Sequence, residues 1–270
     1  EIAQCLVGSE MCIRDRMKGR IRFDASAGRV RYPLLGTTLD LGRTKGEVLI
    51  SPQWVVVDKM MGTIWDGTFT GRVLAQIDDG DALNGSFVLQ DMNLTSIGKS
   101  YDKKMEKATV HGAIEFSSKG GNMNSIQAKG EAALVHGDLV EIPLFGFLGE
   151  ALSNYIPGLG HLINYKISRA DCDFSIEKGY VRTSNFAAQG SNMSLEGGGW
   201  IRLSDLQVNS DFKLGLRGLP GFITSPVFLL AGGLFQVRGT GPLSNVSWNF
   251  APFSGGKAPV PPAAAPARKR

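Results

Sequence analysis

The sequence predicts a mainly β protein, a long antiparallel sheet carrying one or two short amphipathic helices. Three observations predict it. Four segments between Ile167 and Leu216 alternate polar and apolar residues, the period of strands with one apolar and one wet face. Gly-containing turn pairs recur along the chain, among them Asp66-Gly67, Asn84-Gly85 and Lys178-Gly179. Helix-period segments are few.

Residues 1–16 are set aside first. Cys5 to Asp15, CLVGSEMCIRD, resembles the in-frame translation of a sequencing adapter, and Glu10, Arg14 and Asp15 interrupt any apolar core that a leader peptide would need. The protein proper is expected to begin near Met17, with its native N-terminus missing. Strand-like runs follow at Arg20–Asp24, Gly46–Ile50, Trp54–Asp58, Gly67–Gln76, Leu83–Leu94, Ala108–Ser117 and Ser125–Val135.

The C-terminal half repeats the pattern more strictly. Ala170, Cys172, Phe174 and Ile176 share one face, and Asp171, Asp173 and Ser175 the other. A second strand starts at Tyr180. Met193, Leu195, Gly197, Gly199, Ile201 and Leu203 then alternate with Ser194, Glu196 and Arg202. Leu206, Val208, Phe212, Leu214 and Leu216 alternate with Gln207, Asn209, Asp211 and Lys213. A closing pair is expected at Phe235–Gly239 and Asn245–Phe250. About a dozen strands spaced ~4.8 Å apart give a sheet roughly 55–60 Å long. Gly46–Leu94 and Ala170–Leu219 follow a similar order of strands and turns, a weak repeat of the kind that grows by adding strands.

Two segments break the β pattern. Between Pro143 and Ile156, Leu144, Phe145, Phe147, Leu148, Ala151, Leu152, Tyr155 and Ile156 follow the helical period, with Pro157-Gly158 as the stop. Such a helix, with Leu144, Phe147, Leu148, Ala151 and Tyr155 inward, either caps the sheet or lies at a membrane interface. It is too short to span a bilayer, which needs about 20 apolar residues. Leu219–Val237 is apolar too, but Pro220, Gly221, Pro226, Gly232 and Gly233 allow only a helix of one or two turns near Val227–Leu230. The Pro/Ala tail 255–270 cannot build a core and is expected to be disordered.

Charge excludes one class of function. With residues 1–16 set aside, 27 Lys+Arg stand against 22 Asp+Glu, and Lys257, Arg268, Lys269 and Arg270 supply four of the five surplus charges. The body is nearly neutral and has no basic face with which to bind nucleic acid. With Cys5 and Cys12 set aside, Cys172 alone remains, so neither a disulfide framework nor a cysteine metal cluster is expected.

Catalytic signals are equally scarce. His111, His136 and His161 are scattered, and none opens an H-x-x-x-H pattern. Gly98-Lys99-Ser100 ends like a phosphate loop, but Asn93 stands where the first Gly is needed. A calcium loop counted from Asp78 or Asp79 would end on Leu89 or Gln90, neither of which is a carboxylate. No metal, cofactor or enzymatic activity is expected.

Phe174-Ser-Ile-Glu-Lys-Gly179, Leu195-Glu-Gly-Gly-Gly-Trp-Ile-Arg-Leu203 and the turn within Val237–Trp248 resemble the C-terminal region of AsmA-like proteins. These are related to the TamB/YhdP-type bridge-like lipid transport proteins. Gly130–Leu148 is similar to the junction that precedes that region. The resemblance divides the chain into a β-groove repeat region (17–128), an AsmA-like region (129–254) and the tail (255–270). It implies a sheet curled into a half-pipe with an apolar inside. It further implies a periplasmic location, an inner-membrane anchor that this sequence lacks, phospholipid cargo and outer-membrane assembly proteins as partners. Phe174, Ile176, Leu195, Leu203, Val208, Phe212 and Leu214 are then the expected lipid-facing residues. A sealed β core, as in a scaffold for outer-membrane protein assembly, would show the same alternation and stays open at this point.

Overall fold

The computed structural model describes residues 19–26, 28–32, 37–77, 82–100, 107–120, 123–135, 167–191, 193–216, 234–243 and 245–252. Both expected helices, around Pro143–Ile156 and Val227–Leu230, lie outside the described residues, as do residues 1–16 and the tail.

The described chain is an antiparallel meander. Its strands are β1 Gly19–Ala25, β2 Gly28–Tyr32, β3 Thr37–Ile50, β4 Trp54–Ile64, β5 Gly67–Gln76, β6 Leu83–Asn93 and β7 Thr109–Ser118. They continue as β8 Gln127–Val135, β9 Ile167–Glu177, β10 Tyr180–Gly190, β11 Met193–Arg202, β12 Gln207–Leu216, β13 Leu234–Pro242 and β14 Ser247–Pro252. One helix, α1 Leu94–Ser100, follows β6. All 14 strands belong to a single curled sheet that does not close. From β3 onward each strand pairs with its neighbours in sequence, while β1 and β2 lie along the same outer edge of β3. Residues 128 and 129, the expected boundary between regions, are neighbours within β8, and pairing runs through them unbroken.

Side chains of directly opposed residues share a face, so the register shows what each face carries. One cross-strand row runs Ile21, Val48, Val57, Val73, Gly85, Phe116, Ala128, Ile176, Val181, Ile201, Val208, Gly241. Every position in it is apolar or glycine. The row one step along the other face runs Arg72, Ser86, Glu115, Lys129, Ser175, Arg182. The sheet is therefore apolar on one side from edge to edge and polar on the other from β5 to β10, while Leu49, Val56 and Leu74 add an apolar patch to that second side.

Register shifts bend the strands. Among them are those between Val57 and Met60, Leu89 and Met92, and Thr183 and Phe186. In the first two, Lys59 (φ 50°) and Asp91 (φ 55°) take left-handed conformations. An extra residue on one strand increases local twist, which suits a sheet that must curl.

The turns correct one reading of the sequence. The β4–β5 turn is Trp65-Asp66 (φ 50° and 60°), not Asp66-Gly67, and Asn84-Gly85 lies inside β6 and makes no turn. Lys178-Gly179 does form the expected two-residue turn, with φ of 52° and 77°. Gly67 is needed for space: a Cβ there would sit 2.5 Å from the Gln90 carbonyl oxygen.

The two long rims of the sheet differ. The connections across 94–108, 136–166 and 217–233 all leave from one rim, whereas those across 51–53, 119–126, 178–179 and 203–206 turn back at the other. On the first rim α1 is tied to the β4–β5 turn. Asn93 Oδ1 caps it by accepting from the Thr95 amide (2.9 Å), the Trp65 indole N–H donates to Ser100 Oγ (3.0 Å), and Ser96 Oγ donates to Asp66 (2.5 Å). Beneath it Ile64, Phe69 and Met92 form a buried cluster, joined by Ile97 and Val110.

Candidate functional site: the apolar face

The apolar face is floored by aromatic rings laid over glycines. Phe23 faces Gly46, Phe69 faces Gly62, Phe87 faces Gly71, Phe116 faces Gly85, Phe174 faces Gly130, Phe212 faces Gly197 and Trp248 faces Gly239. At each of these glycines an added Cβ would meet the ring, at 2.5 Å from Cζ of Phe174 for position 130 and 2.6 Å from Cζ of Phe116 for position 85. The absent side chain leaves a slot and the neighbouring ring lies flat in it. Aromatic cover of this kind shields the glycine backbone and pins the register. Phe87 and Phe116 stack with centroids 6.1 Å apart, and Phe186 meets Phe212 edge-on at 5.5 Å.

Burial along this face is uneven. Near the rim with the long connections, Met92, Ile167, Ala170, Ala188, Met193, Leu195, Leu214 and Phe235 are buried, Ile167 and Leu195 completely. Farther across, Val48, Val57, Val73, Phe116, Ile176, Val181 and Ile201 are only half-buried, and Ile21 at the edge is 54% exposed. Apolar surface thus stays partly open over β3–β11.

The seven residues expected to face lipid divide along this gradient. Phe174 and Ile176 lie on the apolar face of β9 and are half-buried. Leu195, Val208, Phe212 and Leu214 lie on the same face but are buried, Leu214 to 1% exposure. Leu203 falls outside any strand, in the turn after β11, where its amide donates to the Gly179 carbonyl oxygen (2.8 Å). Leu206, expected to open the next strand, takes φ 54° in that turn and is 48% exposed. The five residues of the expected helix, Leu144, Phe147, Leu148, Ala151 and Tyr155, lie outside the described residues.

Cys172 sits on the apolar face between Phe174 and Ala170. Burial, and then the neighbouring Asp173 and Asp171, push its thiol pKa up, so it is a packing residue rather than an activated nucleophile. Gly98-Lys99-Ser100 belongs to α1, with Gly98 buried, and has no phosphate-loop geometry. His111 Nδ1 accepts from the Asp91 amide (3.3 Å). Among the described residues there is no group of three or more His, Cys, Asp or Glu placed to hold a metal ion, and no helix long and apolar enough to cross a membrane.

The acidic residue of the polar face that burial fixes most firmly is Asp211, 8% exposed. Gln236 Nε2 donates to both its oxygens (2.9 and 2.7 Å) and Arg238 to Oδ2 (2.8 Å), so the buried carboxylate is paired. No family model matches the chain, and no curated protein or solved structure proved similar to it.

Proposed function

We propose that the apolar face is a trough for phospholipid acyl chains, and that the protein takes part in phospholipid transport between the inner and outer membranes and in outer-membrane biogenesis. The observation that carries this reading is the unbroken apolar row from Ile21 to Val208, half-buried over most of its length. A sealed core leaves no such band, whereas a greasy path needs one.

The energetics suit the task. Exposing acyl chains to water costs about 0.8 kcal/mol per methylene, on the order of 20 kcal/mol for two tails of ~15 carbons. A continuous apolar trough removes that barrier without chemistry. Thirteen strands in line at ~4.8 Å make a path of roughly 58 Å, nearly twice a bilayer's hydrocarbon thickness of about 30 Å. The protein belongs, on this reading, with AsmA-like proteins in the periplasm, anchored in the inner membrane by a segment outside this sequence.

A second reading rests on the buried end of the same face. Leu195, Leu214 and Val237 are sealed as in an ordinary core, which suits a scaffold for outer-membrane protein assembly. A photo-crosslinking amino acid separates the two. Placed at Phe116, on the half-buried apolar row, it should capture phospholipid in cells. At Lys129, on the polar face, it should not. Equal capture at both positions, or none at 116, would remove the trough and leave the scaffold.

A further inference from the structure

We propose that the polar face of β9–β11 carries a binding site for a neutral sugar, centred on Arg182. The site is centred on the side of the sheet opposite the acyl trough, although Gly130 and Phe174 of the trough strands also border it. Ser175, Arg182, Trp200 and Asn209 are successive cross-strand partners on that face. Beside them lies a concavity of about 760 Å³, lined by Lys129, Glu131, Asp173, Ser175, Arg182 and Ser184 among others. The register shift in β10 between Thr183 and Phe186 delivers Ser184 to its wall.

Two features set this place apart from a solvated strand surface. Tyr180 and Trp200 bring two aromatic rings onto the polar face, packed edge-to-face with centroids 5.3 Å apart, and the Arg182 guanidinium lies 5.8 Å from the Tyr180 ring centre. Arg182 Nε, Trp200 Nε1 and Asn209 Oδ1 are shielded from solvent with no hydrogen-bond partner, in one cross-strand row. A shielded polar atom without a partner is destabilising, and a ligand hydroxyl would supply the missing partner.

The chemistry of the lining selects the partner. Glu131 and Asp173 repel an anion, and Lys129 and Arg182 repel a cation. A sugar hydroxyl donates and accepts at once, so it matches both the carboxylates and the unpaired N–H groups. The C–H face of a pyranose ring stacks on an aromatic side chain, and Trp200, the cross-strand partner of Arg182, lies beside the concavity with Tyr180 rather than in its lining. The side chain of Arg182 is 34% exposed and held to Glu177 only at 3.7 Å. On this proposal, Arg182 must move off the Tyr180 ring for a ligand to reach the row of unpaired atoms.

The test is calorimetric titration of the full chain with a neutral β-1,4-linked tetrasaccharide of N-acetylglucosamine and, separately, of glucose. At least one should bind with Kd near or below about 1 mM. Arg182→Ala should weaken binding at least tenfold with an unchanged circular dichroism spectrum, and Lys213→Ala, outside the concavity, should not. If Arg182→Ala fails to fold, Ser184→Trp, which fills the concavity from an exposed position, must abolish binding. No saturable binding of either sugar up to about 10 mM, binding unaffected by the informative variant, or tighter binding of glycerol 3-phosphate than of both sugars would each overturn the proposal.

Discussion

The Phe174 ring lies across Gly130 on the neighbouring strand, so close that a Cβ at position 130 would fall 2.5 Å from its Cζ. The pair joins β8 to β9 on the apolar face, and it has counterparts from Phe23–Gly46 to Trp248–Gly239. These pairs account for much of the glycine in the strands. Glycine there supplies room for a ring.

Gly130→Ala should therefore destabilise the protein by about 1–3 kcal/mol, since the added methyl must displace both the Phe174 ring and the Ala113 carbonyl. Gly85→Ala should behave alike, against Phe116. Gly19→Ala, with nothing within 4 Å of its Cβ, should be neutral or slightly stabilising. Urea denaturation checks all three, and equal effects would mean that the rings yield freely.

Charge should act differently along the apolar face. Leu214→Asp places a carboxylate where the native side chain is 1% exposed, so it should cost several kcal/mol or unfold the C-terminal strands. Val57→Asp, on the half-buried part, should cost distinctly less because water reaches it. Thermal melts of the two variants decide the point. Matching losses would show that the face is uniformly sealed.

Cys172 reports on access to that face. Its raised thiol pKa, caused first by burial, leaves little thiolate at neutral pH, so maleimide labelling should be slower than for a free thiol and should speed up as pH rises. Added phospholipid should slow it further if acyl chains occupy the trough. Mass spectrometry of residue 172 gives the rate with and without lipid.

The β11–β12 turn supplies a pH-dependent element. Arg202 donates to both oxygens of Asp205 (2.8 and 2.7 Å), and this lowers the Asp205 pKa below its ordinary carboxylate value. A carboxyl depressed on folding contributes stability that is complete above the unfolded value, about 3.9, and is lost as pH falls through the lowered one. Arg202→Gln should raise the Asp205 pKa toward that value. An NMR titration of the Asp205 carboxyl carbon measures it, and an unchanged midpoint would show that the pair does not form in solution.

The sheet was legible because burial on one face imposes a period of two, and Ala170 to Ile176 display it without interruption. Other features were hidden for physical reasons. Asn84-Gly85 reads as a turn pair, yet Gly85 is a slot for Phe116, a ring 31 positions away that no local pattern reveals. The signal that could have found it is the recurrence of Gly and Phe at positions of like parity on adjacent strands. β2 is five residues long beside a Gly turn signal, too short for alternation to stand out. The seven-residue α1 offers only Leu94 and Ile97 at helical spacing and draws its hold from Trp65 and Asp66, residues of a distant turn. The half-burial of the central rows depends on what the curled sheet leaves uncovered, which alternation alone does not encode.

Because each strand from β3 onward pairs with its neighbours in sequence, the sheet is built from segments that follow one another along the chain. Where the connection is a short turn, little loop-closure entropy opposes adding the next strand, so the sheet can assemble like a zipper. The same wiring governs its response to force. A molecule stretched by pulling apart its two edge strands would peel one hairpin at a time, yielding many small rips rather than one cooperative rupture, and could lengthen without losing the strands that remain.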